Sequence, residues 1–144
     1  MDELQTNVMA QMDKSRLITM KNLGELCMNI KETEVKIIEL EARLNITFPQ
    51  LYFDFLVGIK DGDVFEVKNS GICIYSYSDL EERNQTYQIK ENEPNYFMIG
   101  QDGDLGYFIK TDTPKDNSIF SNNLGALSSL EMKKEADNIF DLMK

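Results

Sequence analysis

Two short acidic turns, Asp61-Gly62-Asp63 and Asp102-Gly103-Asp104, are the parts of this sequence whose spacing suggests chemistry. Carboxylates beside a glycine look like part of a calcium loop. Neither turn has the Asp-x-Asp-x-Asp-Gly spacing or the final glutamate that such a loop needs. Paired carboxylates also serve acid/base hydrolysis in glycosidases, but no feature here selects a pair, and tryptophan is absent. The turns therefore predict an anionic surface rather than a metal site or a catalytic site.

The chain has no histidine and only two cysteines, Cys27 and Cys73. Without histidine it lacks the commonest general base and every Ser-His or Cys-His nucleophile pair. Two isolated cysteines are too few for a Cys₂His₂ or Cys₄ zinc site, and free cysteines usually pack in cores. We therefore expect a protein without enzymatic activity, metal or cofactor, in which both cysteines are reduced.

The net charge of −10 restricts the classes of partner. Nucleic acids and anionic membranes bind basic surfaces, so neither is expected as a ligand. An acidic field instead accelerates the approach of a basic protein. Solubility alone would explain the same charge, and charge does not decide between these two explanations.

Most of this charge lies in one segment. Residues Asp54 to Asp104 contain eleven acidic and four basic residues, a net charge of −7. If their loops meet on one side of a sheet, they would form a surface that suits the basic, phosphate-binding cleft of a nuclease. The alternative is that aspartate and glycine occupy turns for backbone reasons alone. The candidate partner-binding residues are Asp61, Asp63, Glu66, Glu81, Glu82, Asp102 and Asp104.

The elements that must position these residues begin with an N-terminal helical region, residues 1–31. Its apolar residues recur at helical spacing, and a break near Ser15, a candidate N-cap, divides it. The apolar positions are Leu4, Val8, Met12, Leu17, Met20, Leu23, Cys27 and Ile30. Methionine-rich stripes of this kind more often belong to a core, but this one would also serve a homodimer.

The pattern predicts a second helix from an N-cap at Thr33 to a break at Asn45, and a short third helix from Pro49 to about Ile59. Proline suits the first turn of a helix because its ring presets φ and its missing N–H would be unpaired there. The expected apolar side of the second helix comprises Val35, Ile38, Ala42 and Leu44.

After Gly62 the apolar period falls to about two, which predicts strands. The expected strands cover residues 64–67, 72–75, 96–100, 106–109 and 118–120. Asp102-Gly103 is the strongest hairpin turn in the chain, and Ser78 is the expected N-cap of a short helix that reaches Tyr87. A closing helix is predicted from Leu127 to Met143. Its expected buried side is Leu130, Ala136, Ile139, Phe140 and Met143.

One stretch combines an acidic helix, an apolar-Pro pair and a short aromatic helix that ends near a glycine. The positions that carry this pattern are Ile38, Glu41, Leu44, Phe48-Pro49, Tyr52, Phe55-Leu56 and Gly62. A helix start at Asp79-Leu80 follows, and then an apolar strand that enters an Asp-Gly turn at Phe97–Gly103. In this order and spacing, from about Thr33 to Ile109, the chain resembles the SUKH superfamily, the Smi1/Knr4-like domains. Lys60-Asp61 departs from the pattern, because many members carry Asn-Gly or a double glycine there.

The resemblance implies an α+β fold in which N-terminal helices pack on a single antiparallel-rich sheet and a C-terminal helix closes the chain. Residues 1–144 are then one SUKH-like domain, with residues 1–31 as a variable helical region within it. The sequence contains no repeat, low-complexity tract or linker that would argue for a second domain.

The resemblance also implies a function. Bacterial SUKH proteins are commonly immunity proteins, encoded beside polymorphic toxins that are often nucleases, and in Gram-positive bacteria the toxin is frequently of the LXG type. They bind and block the cognate toxin in the cytoplasm. That location agrees with an N-terminus that has acids at Asp2 and Glu3 and no apolar segment.

Two other classes of function stay open at this point. Eukaryotic members of the superfamily are regulatory scaffolds, so the alternative is a non-catalytic domain that binds an endogenous protein. A small-molecule hydrolase is the third hypothesis, and loss of turnover on replacing Asp61 or Asp102 would support it.

Overall fold

The computed structural model describes residues 20–59 and 62–144, with side chains described from residue 32 onward. The predicted helix before residue 20, its break near Ser15, the apolar stripe offered for a homodimer and the candidate residue Asp61 lie outside the described part. The described chain has five helices and six strands.

The first helix, α1 (Met20–Leu44), is longer than the pattern predicts, because it passes through Thr33 without a break. One threonine inside a long helix costs only a few tenths of a kcal/mol, so no N-cap is needed there. The helix ends where predicted: Asn45 has a φ of 56°, the left-handed conformation that asparagine tolerates after a helix. The second helix, α2 (Gln50–Val57), follows Pro49 as expected.

The buried side of α1 differs from the predicted side. Ile37 and Leu40 are 0% and 3% exposed, whereas Val35 and Ile38 are 52% and 44% exposed. Both sets have helical spacing, so periodicity alone does not select between two neighbouring apolar stripes. Ile37 and Leu40 belong to the same core cluster as Phe48, at the turn into α2. The ring of Phe48 lies 5.4 Å from that of Phe97 in the sheet, so this side of α1 faces the sheet.

The sheet is an antiparallel meander in which every strand pairs with its neighbours in sequence. Its strands are β1 (Val64–Glu66), β2 (Cys73–Tyr75), β3 (Tyr96–Asp102), β4 (Leu105–Lys110), β5 (Ile119–Asn123) and β6 (Lys133–Ala136). The predicted turn at Gln101–Asp104 joins β3 to β4, with Asp102 paired to Leu105 and with Gly103 and Asp104 between them. Residues 97–99 and 107–109 are all buried, so both faces of the central strands are covered.

Two further helices, α3 (Tyr77–Thr86) and α4 (Ile89–Asn92), connect β2 to β3. The residue before α3 is Ser76 and not the predicted Ser78, since Ser76 has the extended backbone typical of a position that precedes a helix. Ser76 is fully buried, and its hydroxyl accepts a hydrogen bond from the N–H of Gly62 at 3.1 Å. The start of α3 is thereby tied to the start of β1.

The predicted helix from Leu127 to Met143 is wrong over most of its length. Strand β6 and a single helical turn, α5 (Ile139–Leu142), replace it. Ser128 has a φ of 65°, which no helix accommodates, and β6 pairs with β5. Lys133–Ala136 has residues that favour a helix, but pairing with β5 at the edge of the sheet outweighs this local preference. A short helix does close the chain, and the α+β class with helices packed on one antiparallel sheet is confirmed.

The hydroxyl of Tyr52 gives a test of the core under α2. Tyr52 is 1% exposed, and its hydroxyl has no hydrogen-bond partner among the described residues. Burial also raises the pKa of this phenol. Because Tyr52→Phe removes an unsatisfied buried group, it should raise the free energy of unfolding by about 1 kcal/mol. Urea denaturation would measure this change.

Tyr75 is the matched control, since its hydroxyl donates to Gln101. Tyr75→Phe should lower the free energy of unfolding by about 1 kcal/mol, the usual worth of one hydrogen bond. A loss of stability in Tyr52→Phe equal to that in Tyr75→Phe would contradict the description of the core.

Candidate functional site

The predicted acidic residues on α3 are already engaged within the protein. Glu81 forms an ion pair with Arg43 on α1, with 2.7 Å between Nη2 and Oε1. Glu82 accepts hydrogen bonds from Arg83 and from the hydroxyl of Thr86, and these bonds lower its pKa to about 2. The positive charges beside both carboxylates reduce what α3 contributes to a net anionic surface.

Three other candidates lie together at one end of the sheet. Glu66 ends β1, and Asp102 and Asp104 flank the β3–β4 turn, so antiparallel order places all three at the same end. Gly71 brings the β1–β2 turn close to Asp102: a Cβ on Gly71 would lie 2.8 Å from the Oδ1 atom of Asp102. A side chain at position 71 would require the exposed Asp102 carboxylate to rotate away.

Asp63 lies at the opposite end of β1, about 10 Å from Glu66 at the usual rise of a strand. Like Glu66, Asp102 and Asp104, it is exposed. Within the described ranges, none of these four carboxylates forms an ion pair. The structure thus divides the six described candidates into two glutamates on α3 with ion-pair partners and four exposed acids, at β1 and the β3–β4 turn, without an ion pair among the described residues.

Two of the exposed acids, Asp63 and Glu66, border an apolar feature that the sequence pattern did not single out. Val64 and Phe65 on β1 are 50% and 41% exposed, and Phe140 on α5 is 44% exposed. The ring of Phe55 on α2 lies 5.3 Å from the ring of Phe65 and 5.8 Å from that of Phe140, both edge to face. We call Asp63–Glu66 together with Phe140 the β1 edge surface.

Sequence reasoning missed this surface because Val64 and Phe65 look like ordinary strand residues that a second layer would bury. One signal was present: acids stand on both sides of the apolar pair in Asp63-Val64-Phe65-Glu66. A strand whose ends are both charged is typical of a position at the rim of a sheet.

Apart from the β1 edge surface, a groove lies between the C-terminal end of α1 and the α3–α4 segment. This groove has a volume of about 800 Å³. Its walls carry several amide side chains, including those of Asn45, Gln85, Gln88 and Asn95, besides both members of the Arg43–Glu81 ion pair. Its lining contains no serine, cysteine or histidine.

Over the described part of the chain, no three His, Cys, Asp or Glu side chains are grouped so that they would hold a metal ion. Cys73, half-buried on β2, is a free thiol. Among the described helices, none is long and apolar enough to cross a membrane.

Comparison with known proteins gives one match. The family model described as SMI1 / KNR4 family (SUKH-1) matches residues 31–144, from the middle of α1 to the end of the chain. This range contains the second half of α1, all of α2, the described sheet and the closing helix. No match was found among curated proteins.

Proposed function

This chain belongs to the SMI1/KNR4 family (SUKH-1), whose domains are associated with immunity proteins of toxin–immunity systems, and on this premise we propose that it is an immunity protein that binds and neutralises a cognate toxin. The observation that carries the proposal is the family match over residues 31–144. Such a protein acts by occupying a surface of the toxin and needs no chemistry of its own.

The charge distribution supports a basic partner, for which we propose a nuclease domain of an LXG-type toxin. Asp63, Glu66, Asp102 and Asp104 are exposed without an ion pair in the described part of the chain, and the whole chain carries a charge of −10. A nuclease binds phosphates with a basic cleft, so an acidic protein approaches it quickly and in a favourable orientation. The proposed place of encounter is the cytoplasm of the producing cell.

Co-expression tests this function directly. Each toxin gene adjacent to the gene for this protein is induced in a sensitive host, with and without the protein. We expect growth to be rescued for one adjacent toxin and not for a toxin from an unrelated locus, which is the control. Equal toxicity with and without the protein, for every adjacent toxin, would refute the proposal.

Purified components give a second readout of the same proposal. The rescued toxin and this protein should form a 1:1 complex whose association rate falls steeply as salt rises from 50 to about 500 mM, because screening shortens the reach of the acidic field. Stopped-flow fluorescence would measure the rate. An association rate that does not change with salt would contradict the basic character of the partner.

A further inference from the structure

The outer side of β1 is an open strand edge. The N–H of Val67 donates to the carbonyl of Ile72 at 2.9 Å, and Phe65 lies opposite Ile74. Backbone bonds in an antiparallel pair alternate, so Phe65 points its N–H and C=O toward β2. Val64 and Glu66 consequently point theirs away from the sheet. Within the described residues, no backbone group bonds to them from the outer side.

The two edges of the sheet differ in how they are protected. Strand β6, at the other edge, carries Lys133 and Lys134, both exposed, and charged lysines discourage pairing with another strand. Strand β1 has no lysine or proline, and exposes Val64 and Phe65 instead. An open edge with exposed apolar side chains is a position where another strand adds readily.

Building on the proposed function, we propose that β1 is the docking strand for the toxin. An extended segment of the toxin pairs with the outer backbone groups of Val64 and Glu66. It places an apolar side chain against Phe65 and Phe140, and lysine or arginine beside Asp63 and Glu66. Three residues supply only a few backbone bonds, so the exposed phenylalanine rings act as the anchors of the contact.

The charge of β1 favours a basic toxin segment over a second copy of the same chain. Two β1 strands that paired through these outward groups would lie about 5 Å apart, with four carboxylates, Asp63 and Glu66 of each strand, around the shared contact. Like charges held this close repel one another. A basic segment converts the same positions into favourable pairs, and the partner proposed above is basic.

Hydrogen exchange of the amides of Val64 and Glu66 tests the docking strand, with the toxin that the wild-type protein neutralises as the probe. In the free full-length protein these amides should exchange rapidly, and the complex should slow them at least about tenfold. Slow exchange in the dilute monomer would mean that the chain covers its own edge. Slow exchange that grows with protein concentration would mean self-association. Either result, or rapid exchange in the complex, would overturn the proposal.

Two variants test the same contact by affinity. Val64→Pro removes an outward N–H but leaves the ladder to β2, and Phe65→Ala removes the anchor ring. Each should weaken toxin binding at least tenfold in calorimetry. Leu130→Ala, at a side chain that is 59% exposed in the loop before β6, is the matched control and should leave affinity unchanged. Thermal unfolding first confirms that each variant is folded.

Charge variants separate the acids of β1 from the acids of the β3–β4 turn. Asp63→Lys with Glu66→Lys should weaken binding more than Asp102→Lys with Asp104→Lys, although both pairs change the net charge equally. Rescue by the wild-type protein with unchanged affinity in Val64→Pro and Phe65→Ala would refute the docking strand and leave the immunity function standing. Failure of the wild-type protein itself to rescue would instead refute the function.

Discussion

Gly100→Ala should lower the free energy of unfolding by about 3 kcal/mol, because the added methyl group has no space. Gly100 lies on β3 opposite Ile74, and an added Cβ would overlap the carbonyl oxygen of Cys73 and lie 2.8 Å from the Cδ1 atom of Ile74. The first of these atoms belongs to the backbone of β2, so relief requires the two strands to separate. Urea denaturation of the purified variant would measure the loss.

Gly103→Ala is the control for this prediction. Gly103 lies in the turn that follows the same strand, with a φ of 61°, and nothing lies within 4 Å of an added Cβ. Its substitution should lower the free energy of unfolding by only about 1 kcal/mol, because alanine is strained at this φ. A Gly100→Ala variant as stable as Gly103→Ala would show that β2 and β3 do not approach as closely as described.

Asn84→Asp should lower the free energy of unfolding by about 3 kcal/mol at pH 7. The side chain of Asn84 bonds to the backbone of β3 where a neighbouring strand would otherwise do so. Strand β2 pairs with β3 only at Ile74 and Cys73, so Met98 lies beyond its reach. Asn84 fills this position: its Oδ1 accepts the Met98 N–H at 2.8 Å, and its Nδ2 donates to the carbonyls of Met98 and Leu80 at 2.9 and 2.8 Å.

The pH dependence of Asn84→Asp distinguishes this explanation from a simple loss of packing. A carboxylate there would face two carbonyl oxygens without a proton to donate, so its pKa should rise above the unfolded value. The penalty should then be small at pH 3 and grow as the pH rises through the unfolded pKa to the folded pKa. The control is Asn92→Asp, whose Nδ2 donates to one exposed carbonyl, that of Gln88. This control should cost under about 1 kcal/mol. An equal loss in both variants, independent of pH, would contradict the role of Asn84.

The fold was predictable where a few residues restrict the local backbone conformation. Asn45 and Pro49 bound the turn between α1 and α2 because few residues accept those backbone conformations, and Asp102-Gly103 makes a hairpin for the same reason. The segment from Leu127 to Met143 failed because its composition suits a helix while its position beside β5 offers strand pairing. The periodicity within a segment does not show whether another strand lies beside it.

The site was less predictable than the fold. The sequence located the acids, but it did not show that Arg43 and Arg83 pair with Glu81 and Glu82, because these pairings depend on how α1 and α3 fold. It also did not show that Phe65 stays exposed, since exposure depends on β1 being the last strand of the sheet. Which charges stay unpaired and which apolar residues stay uncovered are properties of the packing between elements.

The order of the sheet has a consequence for how the protein folds. Because each strand pairs with its neighbours in sequence, most strand contacts join residues close along the chain, and such topologies fold quickly. The ribosome releases β1 first, so every later strand finds its partner already synthesised. This order allows the sheet to be completed from β1 toward β6 as the chain is synthesised. For the immunity function proposed above, a sheet in which no early strand waits for a late one would shorten the time between synthesis and binding.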